Sequence, residues 1–121
     1  MKKHRLLIMA IAISSGFGVA SNALAQAPAM HFGSDFRPKT LARCINHAKF
    51  AMQRNKAGQL RMTQSGNAVF GTGPDVSVVV TCTEVNGGVV IQVVAASPDS
   101  SIAERYRNEV RIVAFDAKDF D

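Results

Sequence analysis

The sequence predicts a small α+β domain. It reads as a two-layer sandwich, with two helices packed on one face of a three-stranded antiparallel meander, in the order α-β-β-β-α. Three observations lead there. Residues 76–96 hold two valine-rich runs around Asn86-Gly87-Gly88, the mark of a β-hairpin. Amphipathic helical periodicity lies on either side of that hairpin, near 38–56 and 98–114. The two cysteines fall one in each kind of element, Cys44 in the first helix and Cys82 in the hairpin.

The chain opens with an export signal. Lys2, Lys3, His4 and Arg5 make a positive start, an apolar stretch runs from Leu6 to about Ala20, and Ala23-Leu24-Ala25 has the small-x-small form of a cleavage site. Residues 1–25 are therefore read as a signal peptide, with cleavage after Ala25 or, as second choice, after Ala27. The apolar core is short of the ~20 residues that a membrane span needs, which argues against an uncleaved anchor. No later run is long enough to cross. The expected destination is the periplasm or the outside of the cell.

Export changes the charge balance. The whole chain carries 14 Lys+Arg against 9 Asp+Glu, a formal net charge of +5. Lys2, Lys3 and Arg5 leave with the signal, so the mature chain has 11 against 9, or +2. A nucleic-acid reading wants a strongly basic domain, and none is expected. About 96 residues remain, enough for one marginally stable domain that a cross-link would help.

Residues 26–37 are small, polar and Gly/Pro-bearing, and read as a flexible N-terminal arm. The folded domain is placed at 38–115. Its first helix is predicted over about Pro38 to Lys56, with Pro38 in the first turn. Leu41, Ile45, Ala48 and Met52 form an apolar stripe, with Cys44 and Ala51 beside it. Gly58 sits where a helix stop belongs. A short strand follows near Asn67 to Gly71 between turn signals, with a ragged extended piece from Leu60 to Thr63 before it.

The hairpin is the best specified part. Asn86-Gly87 makes a two-residue turn whose centres can both take positive φ. That turn sets a register in which Cys82 faces Ile91, Val80 faces Val93 and Val78 faces Ala95. Alternation then puts Val76, Val78, Val80, Cys82, Ile91, Val93 and Ala95 on one face, and Ser77, Val79, Thr81, Thr83, Gln92 and Val94 on the other. A one-residue slip would destroy this division. The closing helix is predicted over about Pro98 to Ala114, capped by Ser97 or by Ser101 with Glu104, with Ile102, Tyr106, Val110 and Val113 as its stripe. Residues 116–121 read as an acidic tail.

Periodicity places Cys44 and Cys82 in the same layer, between the first helix and the central strand. Exported chains with an even number of cysteines usually pair them. A Cys44–Cys82 disulfide is therefore expected, closing a loop of about 38 residues and contributing on the order of 3–4 kcal/mol. A redox or metal-binding pair finds no support, since there is no Cys-x-x-Cys spacing.

A cysteine-bearing helix, a "VFG" strand, a strand ending "VTC", a "GGVVIQVVAAS" strand and an amphipathic closing helix together resemble a group of small exported bacterial proteins of unknown function. The resemblance covers about Leu41 to Val113. It implies an α-β-β-β-α domain with one helix-to-strand disulfide, and it implies no activity. The chain departs from the group after the last strand, where "AASPDSS" lacks the glycine that group carries.

The mature chain shows no catalytic motif. His47 lies beside the stripe of the first helix, as a half-exposed residue, and His31 lies in the arm. Neither belongs to a triad, a nucleophile elbow or a zinc-binding pair. No cofactor or metal is implied. Two surfaces are candidates for contact. One is basic: between Asp35 and Asp75 the chain has no acid, while Arg43, Lys49 and Arg54 lie on the first helix. This is either a solvated helix face or a patch for an anionic envelope component. The other is the outer sheet face, where Val79 and Val94 mark either plain β-propensity or a partner surface, including a homodimer. The function expected is non-enzymatic: an exported domain that binds a protein or an envelope surface. The alternative is a small periplasmic hydrolase or a metal-handling protein.

Overall fold

The computed structural model describes residues 28–54 and 60–116. The predicted signal peptide, the helix stop at Gly58 and residues 117–121 of the tail lie outside the described residues. The elements are β1 (Ala29–Arg37), α1 (Leu41–Gln53), β2 (Arg61–Ser65), β3 (Ala68–Thr72), β4 (Ser77–Val85), β5 (Gly88–Ser97) and α2 (Ser100–Asp116). The domain is α+β, but the three-stranded meander is overturned. There is one five-stranded antiparallel sheet, ordered β1-β5-β4-β3-β2, and the chain order is β-α-β-β-β-β-α. No helix among the described residues is long and apolar enough to cross a membrane.

Both additional strands have a physical origin. Residues 29–37, expected in the flexible arm, pair along their whole length with β5, from Ala29 opposite Ser97 to Arg37 opposite Val89. Their alternation of Met30, Phe32 and Phe36 is broken by Gly33, Ser34 and Asp35, so no local signal marks them as a strand. Their partner lies about 60 residues away, and no turn announces the pairing. β2 is the piece expected to be ragged. It pairs with β3 through Gly66-Asn67, a two-residue turn with glycine in the first central place at φ 56°.

The β4–β5 hairpin has the register that its turn predicts, with Val85 opposite Gly88, Cys82 opposite Ile91 and Val80 opposite Val93. One detail differs. Only Gly87 takes positive φ, at 87°, while Asn86 stays on the ordinary side of the map. The turn thus needs one glycine rather than two permissive centres.

Both helices begin later than expected. Pro38 precedes α1, and Thr40 caps it, its Oγ1 accepting a hydrogen bond from the Arg43 amide at 3.2 Å. At α2 neither Ser97 nor Ser101 is the cap. Asp99 accepts from the Ser101 amide at 2.9 Å and the Ser101 hydroxyl at 2.7 Å, and its carbonyl accepts the first helical bond, from Ala103. Ser97 instead accepts from the Asp99 amide at 3.1 Å, which holds the cap in place.

The core lies between the helices and one sheet face. Cys44, Ala48, Ala51 and Met52 of α1 meet Val69, Val78, Val80, Cys82 and Ile91. Tyr106, Val110, Ala114 and Phe115 of α2 complete the layer. Cys44 and Cys82 are bonded as expected, across 38 residues of chain, and both are fully buried.

Candidate functional site

The two sides of the sheet differ in kind. Register assigns every strand residue to a side. Helix-side positions such as Val69, Val80, Cys82, Ile91 and Val93 are fully buried. Neither α1 nor α2 lies against the outer side. There a continuous row crosses all five strands: Phe32, Val94, Val79, Phe70 and Thr63, each directly opposite the next. Phe36 and Val90 stand opposite one another in a parallel row, and Met30 and Ala96 in another.

This face mixes exposed apolar side chains with Ser, Thr and Gln residues such as Ser77, Thr81, Thr83 and Gln92. Phe32 is 72% exposed and Met30 64%, with Phe36, Phe70 and Val85 also open to solvent. Val79, Val90 and Val94 lie half-buried between them. The charge distribution is equally uneven. The strands carry four charged residues, and three of them, Asp35, Arg37 and Glu84, have helix-side parity. Arg61, at one corner, is the single charge of the outer side among the described residues. A solvated face of an antiparallel sheet carries polar residues in alternation with its buried ones. This face carries such polar residues but also exposes Met30, Phe32, Phe36 and Phe70, and contiguous apolar patches of that kind mark interaction sites.

Val79 and Val94, nominated from the sequence, sit adjacent at the centre of the face. Phe32, Phe36, Met30 and Phe70 carry no such signal in the sequence. The first three lie in β1, whose residues resemble a loose arm. Phe70 lies in a recognisable strand, but without β2 and β4 paired around it no side can be assigned to it.

The basic residues are placed differently. Arg43 and Arg54 share a side of α1, because eleven residues make close to three helical turns. Lys49 lies about 120° away around the axis and is half-buried. Arg54 sits over the Phe50 ring at 5.4 Å. Lys39 turns inward: its ammonium donates to the carbonyls of Ala114 and Phe115, at 3.2 and 3.1 Å, and so caps the C-terminal end of α2.

The two described histidines each make a hydrogen bond within the fold. His47 is buried at 6% exposure, not half-exposed. Its Nδ1 is 2.8 Å from Lys39 Nζ and, since an ammonium can only donate, accepts that bond. His31 lies on the helix side of β1, its Nε2 2.9 Å from the Ser100 hydroxyl. Among the described residues no three His, Cys, Asp or Glu side chains gather as metal ligands. A shallow depression of about 470 Å³ between the start of α1 and the β4–β5 turn is lined by Lys39, Arg43, Glu84 and Asn86, among others.

The helix-to-strand disulfide implied by the resemblance is present. Compared with known proteins, the chain matches no family model, no curated protein and no solved structure.

Proposed function

We propose that the protein is an exported, non-enzymatic binding domain and that its working surface is the outer face of the sheet, which takes an apolar protein face. A single observation carries this reading: the row Phe32–Val94–Val79–Phe70, its two rings open to solvent and its two valines half-buried between them, lies on a side whose single charge among the described residues is Arg61. Exposing large aromatic side chains in water is unfavourable by roughly 25 cal/mol per Å² of apolar surface. The helices could not cover this side, since both are used on the other. Rigidity adds to the reading. The disulfide and the paired strands hold the face in one shape, so little ordering is required on contact.

The test is substitution at the centre of the face. Val79→Lys or Val94→Lys should abolish association with any partner while leaving the near-UV circular dichroism and the disulfide intact. Binding through this face should also change little from low to high salt. If association survives both lysine variants and weakens steeply with salt, the basic residues of α1 are the contact instead and the proposal fails.

A further inference from the structure

We infer that the occupant of the outer face is a second copy of this chain, packed sheet against sheet about a two-fold axis that runs along β4 over Val79. The inference rests on the reading of the face as the working surface, and adds the partner.

Three features favour a second copy. The first is charge. A two-fold contact brings a surface against itself, so any charge near the axis meets its own like. Positions on β4 and its neighbours that would flank this axis are Val79, Thr81, Thr83, Phe70, Val94 and Gln92, all uncharged. Arg61, the one cation of this side among the described residues, lies at the far corner, on the edge strand.

The second is shape. Large rings stand toward the margins, Phe32 on β1 and Phe70 on β3, and β-branched side chains stand between them. Rotation about β4 exchanges β5 with β3 and β1 with β2. Phe70 of one copy then lies over Val94 of the other, Phe32 over Thr63, and Val79 over Val79. Phe32 and Phe70 thus each meet a smaller side chain and not another ring, as interdigitated sheet faces require, while Phe36 lies beyond the end of β2 and Arg61 comes over Met30 at the rim.

The third is area. At strand spacings of ~4.8 Å and ~3.3 Å per residue, the five strands make a plane of about 600 Å², of which about 460 Å² faces strand across this axis, because β2 and β3 are shorter than β1 and β5. Side-chain relief raises the accessible area toward the ~600 Å² per partner at the lower end of specific interfaces. A face of this size fits a dimer that forms in the micromolar range.

The axis position gives a specific test. The mature, oxidised chain is studied by sedimentation velocity across micromolar concentrations. The wild type should form a dimer. Val79→Lys and Val79→Glu should each weaken it by about 100-fold or more, since the axis doubles every substitution at this residue. Mixing the two variants should restore dimers, because lysine then faces glutamate. Near-UV circular dichroism and a thermal melt on each variant alone check that it is folded.

A monomeric wild type overturns the inference. If Val79→Lys then still abolishes capture of some other protein, the face is right and the occupant wrong. A dimer that neither variant weakens overturns both the inference and the reading beneath it. A dimer that both variants weaken but mixing does not restore places the axis away from Val79 and overturns the proposed two-fold packing.

Discussion

Gly71 shows how one residue sets the fit between a helix and the sheet. It faces α1 from β3, and an added Cβ would lie 2.5 Å from Met52 Sδ and 2.9 Å from a Leu60 methyl. Gly71→Ala should therefore cost about 1–3 kcal/mol in urea titrations, as overpacked sites do. In a Met52→Ala background the added cost should shrink, because the clashing sulfur is gone. Two surface carboxylates act through protonation. Asp35 is held below its ordinary value of 3.8, chiefly by the hydrogen bond from the Arg37 guanidinium and then by the Phe36 amide. Asp99 is lowered by the Ser101 hydroxyl and amide that it caps. A carboxylate depressed in the folded state contributes stability that is fully present above its unfolded pKa and is lost as pH falls through its folded one. The melting temperature should thus fall as pH drops below about 4–5, and the Asp35→Asn/Asp99→Asn variant should start lower and fall less. An identical acid slope in that variant would contradict the assignment.

Among the elements, β1 is the one that defines the molecule. It is an edge strand, paired with β5 on one side, and α2 fastens it from above. Arg107 donates to the Phe32 carbonyl at 2.9 Å, and Arg37 joins Asp35 to Asp116 through contacts of 2.6 and 3.1 Å. The Arg37 guanidinium also lies over the Phe115 ring at 5.3 Å. Each exposed ion pair is worth little alone, and together they orient the strand. A chain starting at Pro38 should lose these bonds and expose the edge of β5, a template for aggregation. Gel filtration should show association or loss of the compact species. A truncated chain that stays compact and as stable as the mature one would show that β1 is dispensable. At the other joint, the Cys44→Ala/Cys82→Ala variant opens a 38-residue loop and should lose on the order of 3–4 kcal/mol in denaturant titration.

At the scale of the whole molecule, the described residues form a sheet with one side filled by α1 and α2 and the other side open. The apolar stripes of α1 and α2 are both used on the filled side, where the charges of the strands also gather. The open side inherits the aromatic residues of β1 and β3. If the open side is the contact proposed above, raising salt should leave self-association nearly unchanged, whereas contacts made through Arg43 and Arg54 would weaken within the ~10 Å screening length of 0.1 M salt. Light scattering at two salt concentrations separates the two.

Much of this was legible in the sequence, where the signal is local. The Asn86-Gly87 turn and the alternation around it determine the hairpin register. Helical periodicity places Cys44 and Cys82 in one layer, and their bond follows. The central pair of the candidate face, Val79 and Val94, comes from the same alternation. What only the tertiary structure decided is how wide the sheet is and therefore what its open side displays. β1 has weak alternation and a partner about 60 residues away, so it becomes a strand through hydrogen bonds to β5 and packing under α2. Neither force leaves a mark on its own residues, and without it Phe32 and Phe36 have no side to be on.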